Sequence, residues 1–109
     1  MEVVGPKGPQ RHTGAGLLPW AHDQLTIALQ IVDNPGGGLL FATTAVGQVK
    51  AALAELAAQS EEERHRWASV VEILARVEDD MVRRRFDSAR AGLEEALKAL
   101  SATEGAQAG

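Results

Sequence analysis

The feature that most constrains the fold is a long stretch, from Ser60 to Ala91, that contains neither glycine nor proline. Apolar residues recur through this stretch and beyond it, mostly at steps of three or four positions, which is the spacing of one face of an α-helix. The sequence therefore predicts one amphipathic helix over residues 61–101, about 60 Å long at the usual helical rise. Its apolar face consists of Trp67, Val71, Leu74, Val77, Met81, Phe86, Ala89, Leu93, Leu97 and Leu100.

The middle of this helix carries the charged sequence VEDDMVRRRF, which begins at residue 77. Asp79 lies four residues before Arg83, and Asp80 lies four residues before Arg84, which is the favourable order for ion pairs along a helix. A turn would normally contain glycine, asparagine or proline, and none is present here. We therefore predict a continuous helix. Because an acid and a serine follow directly and could cap a new helix, a break near residues 84–86 is the alternative.

The start of the long helix has a specific signal. Ser60 and Glu63 form a capping box, in which the serine hydroxyl accepts a hydrogen bond from the N–H three residues later and the glutamate reaches back. The acids in the first turn also suit the positive end of the helix dipole. We expect the helix to begin directly after Ser60.

Two shorter helices are predicted before it, over residues 18–33 and 39–58. Pro19 suits a first helical turn, where its missing N–H is not needed. The sequence DNPGGG at residues 33–38 then ends the first helix. Residues 39–46 could form a strand by propensity, but their apolar spacing continues into an Ala/Leu-rich helix, so we predict helix. The second helix also has a strip of small residues that would let another helix approach closely: Gly47, Ala51, Ala54 and Ala58.

The chain is therefore predicted to be an all-α protein of three helices in one domain. A length of 109 residues fits a single domain. Residues 1–16 are rich in glycine and proline, and we interpret them as a flexible N-terminal tail, with residues 17–101 as the helical domain. We expect residues 102–109 to form a flexible C-terminal tail.

The predicted lengths do not match, because two short helices cannot cover the apolar stripe of a helix about 60 Å long. The segment between Gly16 and Val49 is also almost uncharged, and large exposed apolar surfaces are uncommon on soluble monomers. Either the long helix bends back, or a homodimer or a helical partner protein covers it. We expect the bundle to be completed by dimerisation, through an interface formed by Leu25, Val32, Val46, Leu53, Leu74, Met81, Phe86 and Leu93.

Composition excludes some chemistry. The chain has no cysteine, so disulfides and thiolate metal sites are ruled out, and its net charge of −4 has the wrong sign for a dedicated nucleic-acid binder. It has neither an apolar run long enough to suggest a membrane span nor a signal-peptide pattern at the start. We expect a cytoplasmic protein that has no membrane partner.

Two local patterns suggest chemistry without supporting it. Glu62 and His65 have the spacing of half a di-metal site, but the first two helices offer too few carboxylates to complete it. Three arginines at seven-residue intervals, Arg76, Arg83 and Arg90, could follow a phosphate backbone, but acids on the same helix would repel it. We expect no metal or other cofactor, and nucleic acid is a disfavoured partner.

The leading functional hypothesis is a small, non-enzymatic interaction or regulatory protein that acts through helix–helix association. The alternative is a small-molecule-binding or tailoring protein with a pocket between the first two helices, because aromatic and hydroxyl side chains are available there. A third possibility is a regulator that binds nucleic acid through its arginines. The residues of the alternative pocket would be Trp20, His22, Phe41, Thr44 and Trp67.

Overall fold

A computed structural model of the chain describes residues 16–33 and 38–108, with side chains up to Ala102. These residues form helices only, so the all-α prediction is confirmed, but the helices number four rather than three. The predicted N-terminal tail, except for Gly16, and most of the DNPGGG segment lie outside the described residues. The helices are α1 (Leu17–Asp33), α2 (Leu39–Ala57), α3 (Glu61–Val82) and α4 (Phe86–Ala108).

The first two helices agree with their predicted bounds to within one residue. The predicted start of α3 is also confirmed: Ser60 has an extended backbone and its Oγ accepts a hydrogen bond from the Glu63 N–H at 3.1 Å. At the other end of the chain, α4 continues to Ala108, past the predicted helix end at residue 101. Local signals therefore placed most helix ends.

The helices form a ring in which α1 and α3 each contact both α2 and α4. Connections of three residues join α2 to α3 and α3 to α4, and such short connections place helices side by side. One core lies inside the ring, and every helix contributes to it. Side chains with no more than 1% of their surface exposed include Leu25, Val46, Leu53, Trp67, Leu74, Val77, Met81, Leu93 and Leu100.

The predicted continuous helix over 61–101 is wrong, because the chain turns at residues 83–85, and the alternative of a break near residues 84–86 is confirmed. Arg84 has φ = 61°, the left-handed conformation that favours glycine. The Arg84 N–H donates to the Met81 carbonyl at 3.1 Å, and the Arg85 N–H donates to the Asp80 carbonyl at 2.7 Å. This pair of hydrogen bonds is a Schellman motif, which ends a helix by satisfying its last carbonyls.

The turn forms at Arg84, although arginine does not favour the left-handed conformation, because the turn allows α4 to bury its apolar side chains. Holding a side-chain-bearing residue in the left-handed region costs about 1–2 kcal/mol. Folding back, however, places Ala89, Leu93, Ala96 and Leu100 in the core with no exposed surface. Each leucine alone contributes about 1.5–3 kcal/mol when it is fully buried. The burial therefore outweighs the strain at Arg84.

Gly92 explains how closely α4 can pack on α3. A Cβ atom at this position would lie 2.6 Å from Val77 Cγ2, which no real side chain tolerates without movement. The helices can therefore approach to this distance only because residue 92 has no side chain. Gly92 thus has a packing role in the middle of the α3–α4 pair.

Candidate interaction surface

The predicted interface residues do not lie on a free surface. Seven of the eight are buried inside the single chain, and Phe86 is half-buried at the start of α4. The physical reason is the turn at residues 83–85, which folds α4 back so that one copy of the chain covers its own apolar faces. The mismatch of helix lengths therefore no longer argues for a dimer. The buried seven are Leu25, Val32, Val46, Leu53, Leu74, Met81 and Leu93.

The five residues of the alternative pocket are also not brought together. Trp20 and Trp67 are buried in the core at 6% and 1% exposure, and His22 lies near the start of α1. Phe41 and Thr44 lie on the exposed side of the start of α2. The start of α2 is adjacent to the end of α1, since an added Cβ at Gly38 would meet Ile31, whereas Trp20 is about 16 Å away along the helix. These residues do not line one pocket.

Three of the four large apolar side chains that are exposed among the described residues lie at one end of the α2–α3 pair, and the fourth, Ile27, lies on α1. Leu40 is 81% exposed and Phe41 is 39% exposed at the start of α2, and Val82 is 74% exposed at the end of α3. The Lys50 ammonium pairs with the Glu78 carboxylate, which holds the last turns of α3 beside the middle of α2. Because the two helices are joined by three residues and run in opposite directions, both exposed groups lie toward the same end.

A strip of small side chains continues from this apolar end along α2. We define the outer face of α2 by five exposed residues that share one side of the helix: Leu40, Thr44, Ala51, Ala54 and Ala58. They lie opposite the buried side of the helix, because they point about half a turn around the helix axis away from the core residues of α2. The exposed charge beside this face is that of Glu55, since Lys50 is turned toward α3.

Gly47 was predicted to be part of this strip, and the structure shows why it differs from the alanines. A Cβ atom at Gly47 would lie 2.9 Å from Glu78 Oε2. The space above Gly47 is therefore occupied by the carboxylate that pairs with Lys50. The alanines remain open to solvent, but the glycine serves a contact within the chain.

Two of the three arginines of the predicted basic stripe, Arg83 and Arg90, are paired with neighbouring acids. Arg83 Nε lies 3.0 Å from Asp79 Oδ1. Arg90 pairs with Asp33 of α1 and with Asp87 of α4, each at 3.2 Å. The hydrogen bond that Arg83 donates lowers the pKa of Asp79 below its ordinary value, so this carboxyl stays charged and keeps its partner occupied. This arrangement does not favour a phosphate backbone.

The turn at residues 83–85 also uses Arg85 rather than the predicted Arg84. Arg85 Nε lies 3.0 Å from Asp80 Oδ1, and its Nη2 lies 3.0 Å from Asp79 Oδ2. The predicted Asp79–Arg83 pair is confirmed, whereas Asp80 pairs one residue further along the chain. We call residues 83–85 the corner between α3 and α4. The charged sequence therefore stabilises this corner.

A shallow cleft of about 320 Å³ lies between α3 and α4. Its rim carries Arg76, Asp80 and Glu95, and its base includes Val77 and Gly92. Asp80 already pairs with Arg85, and charges of both signs surround the opening.

Within the described part of the chain, no group of three or more side chains could hold a metal ion, and His65 is 82% exposed beside Glu61.

Among the described helices, α2 alone is long and apolar enough, by length and composition, to cross a membrane. Core helices of folded proteins pass the same test, and 33% of its most apolar segment is buried here. This property therefore says nothing about where the protein resides. The predicted cytoplasmic location stays a prediction.

No protein-family model, curated protein or solved structure matches the chain. The functional proposal therefore depends on the surface of the protein itself. The features available to it are the exposed apolar end, the outer face of α2, the paired arginines Arg83 and Arg90, and the mixed-charge cleft.

Proposed function

We propose that the chain is a small, non-enzymatic interaction protein whose outer face of α2 binds an apolar helix of a partner. The observation that carries the proposal is the exposure of Leu40 and Val82, at 81% and 74%, beside a strip of small side chains that is flanked by Glu55 and by the Lys50–Glu78 pair. Large apolar side chains grouped on a surface are typical of interaction sites. A regulatory role and a cytoplasmic location belong to the same proposal.

The small side chains of the outer face specify the shape of the partner. Helices pack with their axes about 8–10 Å apart, and small residues allow the shorter distances. Ala51, Ala54 and Ala58 leave a shallow groove, into which leucine-sized side chains at helical spacing would fit. The partner is therefore an amphipathic helix with a seam of large apolar residues, supplied by another protein or by a second copy of this chain.

Charge at the edge of the face adds a second requirement. Glu55 is exposed beside the strip, whereas the nearby Lys50 is already paired with Glu78. An approaching helix would therefore meet a negative edge. We expect the partner helix to carry lysine or arginine next to its apolar seam, because opposite charges at such flanking positions set the choice of partner.

The test uses two synthetic helical peptides that have the same leucine seam, one flanked by lysines and the other by glutamates. We expect the lysine-flanked peptide to bind more tightly by isothermal titration. Ala51→Glu should weaken this binding at least about tenfold, because it places an unpaired charge in the contact. Ala75→Glu is the matched control, since Ala75 is exposed on α3, outside the outer face.

Circular dichroism of both variants establishes that each remains folded. Equal affinity for the two peptides, or equal losses for Ala51→Glu and Ala75→Glu, would contradict the proposal. Light scattering of the free protein shows whether the face also joins two copies. In that case Ala51→Glu, and not Ala75→Glu, restores the monomer.

A further inference from the structure

The corner between α3 and α4 combines a strained backbone with a sequence that favours a helix. In the described part of the chain, Arg84 is the non-glycine residue with a positive φ, which is 61°. From Val77 to Phe86 no glycine, asparagine or proline is present to favour a turn. Short connections under strain are the kind that open and let two copies of a protein exchange an element.

A continuous helix through the corner would remove the backbone strain at Arg84. It would also form new ion pairs in place of those that the closed corner holds. The closed corner holds Arg85 against Asp79 and Asp80, each at 3.0 Å. In a straight helix Asp80 would instead face Arg84 four residues later, and Asp79 would keep Arg83. The local charges therefore support both conformations, whereas the left-handed residue occurs in the closed one alone.

What holds the corner closed is the packing of α4, and a second copy can provide the same packing. Ala89, Leu93, Ala96 and Leu100 have no exposed surface, and α4 contacts α1 and α3. We propose that two copies of this chain exchange α4, so that residues 61–108 form one helix and α4 packs in the partner's ring. This exchange does not depend on the outer face of α2.

The exchanged dimer keeps every contact of α4 and changes only the corner. Two corners open when each dimer forms, so the free-energy effect of a substitution at residue 84 counts twice in the monomer–dimer equilibrium. Alanine disfavours the left-handed corner and favours a helix, whereas glycine does the opposite. We therefore expect the concentration that half-converts the protein to dimer to be about 100-fold or more lower for Arg84→Ala than for Arg84→Gly.

The geometry at Gly92 supplies a covalent reporter of the exchange. Val77 Cβ lies 4.0 Å from the position of a Cβ at Gly92, which is within the range that a disulfide spans. The chain contains no cysteine, so Val77→Cys with Gly92→Cys would form a single defined bridge. The bridge lies within one chain when the corner is closed, and it joins two chains when α4 is exchanged.

The experiment refolds this double-cysteine protein at low and high concentration, oxidises it and separates it on a non-reducing denaturing gel. With Arg84→Ala we expect a covalent dimer that increases with concentration, and with Arg84→Gly we expect a monomer. The native Arg84 should fall between the two. A monomer alone from Arg84→Ala at every concentration would overturn the proposal, and so would a ladder of larger species, because reciprocal exchange closes at two copies.

A second measurement covers the case in which the cysteine pair prevents folding. Spin labels at Ala75 and Glu94, both exposed, report the distance between α3 and α4 in protein diluted with an unlabelled excess. Neighbouring helices place their axes about 8–10 Å apart. One continuous helix places residues 75 and 94 about 28 Å apart. The longer distance is expected in the dimer fraction of Arg84→Ala, and its absence there would refute the exchange.

Discussion

Replacing Arg84 with glycine should stabilise the protein by roughly 0.5–1 kcal/mol. Glycine adopts the left-handed conformation freely, so the substitution removes a strain of about 1–2 kcal/mol. It also makes the unfolded chain more flexible, which returns about 0.4–1 kcal/mol. The φ of 61° at Arg84 therefore predicts an unusual result, in which inserting glycine into a charged helical sequence raises the free energy of unfolding.

The sign of the effect is informative because a continuous helix predicts the opposite. Within a helix, glycine is about 1 kcal/mol less favourable than alanine. Arg76→Gly is the matched control, since Arg76 is an exposed arginine inside α3. Thermal denaturation followed by circular dichroism, with dilute protein, should show Arg84→Gly melting a few degrees above the native protein and Arg76→Gly below it. Arg84→Ala removes the same side chain but keeps the strain.

Equal lowering of the melting temperature by Arg84→Gly and Arg76→Gly would refute a strained Arg84. That result would mean that residue 84 is helical in solution and that the corner is not formed. A rise with both Arg84→Gly and Arg84→Ala would show instead that relief of charge crowding, rather than the backbone, is responsible.

Two further predictions concern packing and charge. Gly92→Ala should destabilise the protein by about 1–3 kcal/mol in urea denaturation, because its Cβ would lie 2.6 Å from Val77 Cγ2. Adding Val77→Ala should recover part of this loss. If the losses of the two single variants simply added in the double variant, the predicted contact would be contradicted. The lowered pKa of Asp79 means that its stabilising effect is present above the ordinary value of 3.8 and is lost as the pH falls through the folded-state pKa. Asp79→Asn should therefore lower the melting temperature at neutral pH, and the difference should vanish in acid; a difference that persists there would rule out the ion pairs as its cause.

The sequence predicted the parts of the fold that short-range chemistry determines. The Ser60 capping box placed the start of α3, and the segment after Asp33 placed the end of α1, because each signal acts within a few residues. The apolar spacing also identified the core, including Leu74 and Leu93. These predictions needed no knowledge of which helix packs against which.

The sequence offered the corner only as the alternative to a continuous helix, because a tertiary contact decides between the two. The charged sequence near Arg84 favours a helix locally, but the core closes only when α4 turns back. The free energy gained by burying α4 cannot be predicted from the ten residues around Arg84 alone. The same error led to the interface prediction, since residues assigned to a dimer, such as Met81, cover one another within one chain. The apolar end at Leu40 and Val82 was missed for a related reason, because their exposure depends on where α2 meets α3.

The contact between Gly47 and the Lys50–Glu78 pair has a consequence for how the sequence can vary. A methyl group at residue 47 would displace the carboxylate from its position over α2, and a charged pair would then be disturbed by an uncharged neighbour. Sequence change at these three positions should therefore be correlated. Because Glu78 Oε2 is the end of a flexible side chain, a side chain at residue 47 is expected to weaken the Lys50–Glu78 pair while leaving the helices in place.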